Sequence, residues 1–170
     1  MAYAFVESRI MPKQAIASVI STTAAVPVGT IVRAKSGSFG EGEFIYLPST
    51  ASITLSNLVL FRGGTSLGTY SNIRVPSAAN QAGAVAVAMA TGAASTFGWF
   101  QISGTGPILK SAVIISANKP LFMSTTAGRV RAILSAGRQV LGMLTATAVV
   151  SATSTVVASF NRPFMQGNAT

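Results

Sequence analysis

Phe97-Gly98-Trp99-Phe100-Gln101-Ile102-Ser103-Gly104 holds the only tryptophan of the chain and two of its nine phenylalanines. In an extended strand successive side chains point to opposite faces, so Phe97, Trp99 and Gln101 share one face while Gly98, Phe100 and Ile102 share the other. Both faces carry large apolar groups, which predicts a strand covered on both sides. Phe97, Trp99, Phe100 and Ile102 are therefore the expected hub of the core. For Trp99 a core role is favoured over a binding platform, burial being the commoner use of an indole.

Working outward, residues 82–90 alternate Ala with Val85, Val87 and Met89. Three large residues at i, i+2, i+4 stack on one face of a strand but scatter around a helix, so a strand is predicted despite the helix propensity of Ala. Its Ala face would let another backbone or sheet approach closely. Upstream, 28–34, 43–47, 53–61 and 70–75 read as strands, with Lys35-Ser36-Gly37-Ser38-Phe39-Gly40 as a turn and Pro48 as a stop. Downstream, Gly104-Thr105-Gly106-Pro107 reads as a turn into a strand at 108–116. Further strands follow at 121–123, at 129–134 with both arginines on one face, at 140–150 and at 155–160. Turns every eight to twelve residues are those of a sandwich or barrel. The expected fold is all-β: one small domain of short strands over 26–165, an extended N-terminal arm at 1–25 and a tail at 166–170.

Half of the residues are hydrophobic, but Ala and Val dominate, with Ser, Thr and Gly behind them. Small and β-branched side chains suit pleated sheet and tight turns, so little helix is expected. The chain has no His, no Cys and no Asp, and its only acids are Glu7, Glu41 and Glu43. Proton transfer near neutral pH ordinarily uses His or a perturbed carboxylate, and metal centres use His, Cys or several carboxylates. No catalytic residue, cofactor or metal ligand is assigned, and an enzyme is not expected. The lack of cysteine excludes disulfides and says nothing about compartment.

Twelve basic residues give a formal charge of +9. That balance would attract a polyanion, an acidic protein surface or anionic lipid. The basic residues are scattered, with no run of three, unlike a nucleic-acid-binding tail. Two charge-free stretches, 75–109 and 139–161, are long enough to raise a membrane question. A spanning helix wants about 20 mostly apolar residues. The first stretch is broken by Pro76, Asn80, Gln81 and Gln101 and the second by repeated Ser and Thr, so membrane insertion is not expected. Segment 1–25 has mixed polarity. It reads either as an arm reaching a neighbouring subunit or as a loosely held terminus.

An ordered series of short patches carries a resemblance. Pro27-Val28-Gly29-Thr30-Ile31-Val32, Gly40-Glu41-Gly42-Glu43-Phe44-Ile45-Tyr46-Leu47 and the aromatic stretch at 97–104 look like small virion proteins of tailed bacteriophages. Ala117-Asn118-Lys119-Pro120-Leu121-Phe122, Thr126-Ala127-Gly128-Arg129-Val130 and Val140-Leu141-Gly142 are similar to head decoration, or capsid-cementing, proteins. The resemblance implies a β-rich domain, often a homotrimer, on the capsid surface of the virion, where it ties neighbouring capsomers together. Its partners would be the major capsid protein and other copies of itself. The basic balance and the long N-terminal segment depart from many small decoration proteins. Read from that balance and that segment, the candidate capsid contacts are Arg9, Lys13, Arg33 and Lys35. The alternatives are another virion component, such as a tail or head-fibre part, and a nucleic-acid-binding β-barrel. The latter would use Arg129 and Arg131 on phosphates and Tyr46, Trp99 or Phe100 for stacking. It is disfavoured because no aromatic alternates with that arginine pair.

Overall fold

A computed structural model describes residues 3–5, 15–17, 21–63, 70–74 and 76–167. Among them there is no helix, and hence none long and apolar enough to cross a membrane. The strands are β1 (Tyr3–Phe5), β2 (Ile31–Ser36), β3 (Gly40–Ser49), β4 (Leu58–Gly63), β5 (Tyr70–Arg74), β6 (Ala82–Ala88), β7 (Thr96–Leu109), β8 (Pro120–Met123), β9 (Val130–Arg131), β10 (Gln139–Thr145) and β11 (Thr155–Gln166). They form one antiparallel sheet in the order β1-β2-β3-β7-β6-β11-β10-β8-β9, with β4 and β5 branching from β6. The path does not close, so the all-β expectation holds as an open, branched sheet.

The branch arises because β7 changes partner on one of its edges. Its first half lies between β3 and β6, with Gln101 opposite both Phe44 and Val87. From Ser103 onward the β6 side is taken over by β11, which runs Asn161↔Ser103 to Thr155↔Leu109. Beyond a bulge at Arg162, where φ is +44°, β11 passes from β7 to β6 and pairs Phe164 with Ala84. Three strands thus pair mutually around one point.

Gln101 sits at that point and is buried. Its Nε2 donates to the carbonyls of Ser103 (3.1 Å) and Thr105 (3.2 Å). Its Oε1 lies against Gly106 and meets no donor among the described residues. Three glycines make room around this amide. A Cβ on Gly42 would lie 2.8 Å from Nε2, and one on Gly106 2.7 Å from Oε1. At Gly104, with φ +103°, a Cβ would lie 2.5 Å from the Glu41 carbonyl oxygen.

The alternation in the sequence sorts side chains into three clusters. Val85 and Val87 of β6 join Leu58, Leu60, Ile108 and Phe160 in the largest. Ala86 and Ala88, on the opposite face of β6, admit Phe100, Ile102, Ile45 and Leu47 into a second. Trp99, Tyr46, Phe44 and Ile16 make the third. Tyr46 and Trp99 are cross-strand partners whose rings meet edge to face at 5.0 Å. Only β7 contributes to all three clusters. Trp99, Phe100 and Ile102 are buried, and Phe97 is half-buried and stacked on Tyr46.

Several sequence expectations change. Pro48 does not stop β3 but pairs with Phe97. The amide and carbonyl of Phe97 are both engaged by Ser21, so Phe97 asks no hydrogen bond of the proline. Gly104-Thr105-Gly106-Pro107 is not a turn, since β7 runs through it to Leu109 along β11. Of the strand expected at 108–116, only Ile108 and Leu109 are in β7, and Ile115 forms an isolated bridge to Val149. The strand expected at 129–134 shrinks to Val130 and Arg131, which pair with β8, Val130 also bridging to Lys110. β10 ends at Thr145, whereas β11 runs on past Phe160 to Gln166. Within 1–25, Tyr3–Phe5 pairs with β2, Ile16 is buried and Ser21 bridges to Phe97. The arm expectation otherwise lies outside the described residues.

Two substitutions test this hub. Gly104→Ala combines a disfavoured φ with a backbone clash and should destabilise by about 3 kcal/mol in urea unfolding, from strain and displaced pairing together. Trp99→Ala should cost about 3 to 5 kcal/mol through the emptied aromatic site.

Candidate functional site

The strand junction opens on one side into a polar cleft of about 320 Å³ lined by Arg33, Glu41, Gly42, Glu43, Ser103, Asn161 and Arg162. Its charges follow from register. β2 and β3 pair Arg33 with Glu43 and Lys35 with Glu41, placing two cations and two carboxylates on one outward face. The Arg33 guanidinium reaches Glu41 at 3.7 Å. The bulge of β11 delivers Arg162 to Glu43, with Nε and Nη2 both donating to Oε2 at 3.2 Å. Arg33, Glu41 and Arg162 are well exposed, so these ion pairs orient side chains and add little stability, about 1 kcal/mol or less apiece.

Of the expected capsid contacts, Arg33 and Lys35 therefore stand together on the exposed face of β2. Arg9 and Lys13 lie outside the described residues. The expected core residues Trp99, Phe100 and Ile102 are buried beneath the sheet faces and present no surface to a partner.

Most other cations have a use that the sequence did not disclose. They cap backbone carbonyls where strands end. Arg62 donates through Nε and Nη2 to the Ala82 carbonyl at 3.0 and 2.7 Å. Arg129 donates to the Lys110 carbonyl at 2.9 Å, and Arg138 to those of Ser77 and Ser124 at 2.8 and 3.2 Å. Arg131 reaches the Ser135 hydroxyl at 2.9 Å.

Lys110 is the extreme case, with 0% of its surface exposed. Its ammonium donates to the carbonyls of Ser111 (3.1 Å), Val113 (2.8 Å) and Ser151 (3.4 Å). Among the described residues no carboxylate faces it, and burial lowers its pKa below the ordinary lysine range. Three converging carbonyls stand in for a counter-ion. A lysine directly after a hydrophobic strand was the only sequence signal, and it does not separate a buried ammonium from a solvated one.

Chemically, this arrangement binds and braces. Both described carboxylates are engaged by arginines. Among the described residues no three His, Cys, Asp or Glu side chains gather as metal ligands would. No family model matches the sequence, and no curated protein matches it.

Replacing Lys110 by Met keeps the length and the apolar stem but takes the ammonium from the Val113 and Ser151 carbonyls, while the Ser111 carbonyl keeps the Val113 amide. At neutral pH the variant should lose on the order of 2 kcal/mol. The pH dependence has a definite sign. With the folded pKa below the unfolded value of 10.5, the unfolded chain binds more protons through the alkaline window, so wild-type stability gains there as pH rises toward 10.5. Urea unfolding across that window should show the gap between wild type and Lys110→Met widening.

Proposed function

We propose that this protein is a structural virion component that binds the outside of a bacteriophage head and cements neighbouring capsomers, acting as a homotrimer and without catalysis. The observation that carries the reading is the arrangement of charge. Both described glutamates are matched by arginines, so the formal +9 leaves an outer surface with no unmatched described carboxylate. Such a surface favours an acidic partner and gains association rate and orientation from it. The braced carbonyls, the hub strand shared by three clusters and the single branched sheet suit a part that bears load. The sequence patches similar to decoration proteins supply the phage context.

A nucleic-acid role loses support from the positions of the aromatics. Tyr46, Trp99 and Phe100 are all buried, and stacking on bases needs exposed rings. The backbone-capping arginines are likewise committed within the fold.

The test is co-sedimentation of the purified full chain with undecorated phage heads, before and after nuclease treatment. Saturable, nuclease-insensitive binding that weakens with salt is expected, at a copy number approaching that of the shell protein. No retention on heads, or retention lost with nuclease, would overturn the reading. A copy number far below that of the shell would point instead to a tail or fibre part.

A further inference from the structure

One end of the sheet displays aliphatic side chains that the fold does not use. Val113, Val149 and Ala132 pack against the largest core cluster, and each is followed directly by exposed residues: Ile114 at 74%, Val150 at 61%, and Ile133 and Leu134 at 50% and 83%. These three segments are tied to one another. Ile115 and Val149 exchange both backbone hydrogen bonds, at 3.0 and 2.8 Å, and in such an antiparallel bridge Ile114 and Val150 stand opposite each other. The third segment leaves from the parallel bridge between Lys110 and Val130, where Ser111 donates to the Val130 carbonyl.

The buried ammonium of Lys110 lies beneath this end and bonds one carbonyl in each of the first two segments, at Val113 and Ser151. Each of those residues adjoins an exposed aliphatic, Ile114 or Val150. The cage thus fixes the shape of the tip that protrudes above it.

The charge at this end has one sign. Arg129 and Arg131 flank the tip, while the described carboxylates, Glu41 and Glu43, lie beyond Ser103, seven residues back along β7. At about 3.3 Å per residue that is a separation of roughly 20 Å. A rigid aliphatic tip with a cationic flank fits an apolar pocket in an acidic surface.

We infer that this loop end, carrying Ile114, Leu134 and Val150, is the face by which the protein seats on an acidic protein surface, the shell under the reading above, on which this inference rests. A second copy of the chain does not fit, because its described carboxylates are already paired and two such ends would bring like charges together. A lipid surface is the poorer match. It needs no fixed tip.

The variant Ile114→Ser/Leu134→Ser/Val150→Ser alters exposed side chains only and should unfold at the wild-type temperature. Its binding to undecorated heads should fall about tenfold or more, the scale of a truncated interface hot spot. Leu141→Ser, at an exposed aliphatic of β10 outside the tip, should bind within about threefold of wild type. Neither wild type nor variant should float with vesicles of equal parts phosphatidylcholine and phosphatidylserine. Wild-type binding to heads that the serine variant retains would overturn this inference alone, as would loss confined to the Leu141 variant. Vesicle flotation abolished by the serine substitutions would replace the protein partner with a membrane. Failure of wild type itself to bind heads would bring down the proposed function and this inference with it.

Discussion

The fold turns on one buried amide. Where β6, β7 and β11 pair mutually, β7 exchanges one neighbour for another between Gln101 and Ser103. A strand cannot exchange partners without turning some of its backbone groups away from a ladder. Gln101 donates to two carbonyls of its own strand just past that point, at Ser103 and Thr105. Gly42, Gly104 and Gly106 leave the side chain room. The branch then lets one strand, β7, serve three clusters that a simple meander would have kept apart.

The same economy governs charge. An unpaired buried carbonyl costs about 1 to 3 kcal/mol, and a sheet that branches and ends in many loops creates several candidates for that loss. Here Lys110 caps three part-buried carbonyls and Arg138 the part-buried one of Ser124, while Arg62 at Ala82 and Arg138 at Ser77 cap exposed ones. Part of the basic excess is therefore structural in use while remaining positive in field. A carbonyl satisfies a donor without neutralising it, so the caps hold the fold together and still leave the molecule cationic toward a partner.

This double use explains what could be read from the sequence. Period-two alternation located β6 and the aromatic part of β7, and it named Trp99, Phe100 and Ile102 as core, because those features depend only on which side of a strand a residue faces. The continuation of β7 through Gly104 and Gly106 was hidden, since glycines that make room for a neighbouring side chain look the same in sequence as glycines that make a turn. Pro48 misled for a related reason: a proline is a stop only if its missing donor is needed, and Phe97 bonds elsewhere. Arg33 was legible as a basic residue on a strand, whereas Lys35 read as the start of a turn and lies in β2. Their pairing with Glu41 and Glu43 needed the register of β2 against β3. The burial of Lys110 was not legible, because a lysine after a hydrophobic strand is as readily solvated and one of its carbonyl partners, Ser151, is 41 residues away.

Position within the sheet also separates what must stay fixed from what can meet a partner. The junction is enclosed by strands on both edges of β7, so a change at Gln101 or its glycines would propagate into all three clusters. The loop end near Lys110 is different. Its half-buried residues, Val113, Val149 and Ala132, anchor each segment to the core, and the residues that follow project outward without supporting anything beneath them. Apolar side chains held rigidly in water are a standing cost to the isolated protein, on the scale of about 25 cal/mol per Å² that burial would recover. That cost is recovered when a partner covers them, and a tip already fixed by the ammonium cage loses little conformational freedom in the process.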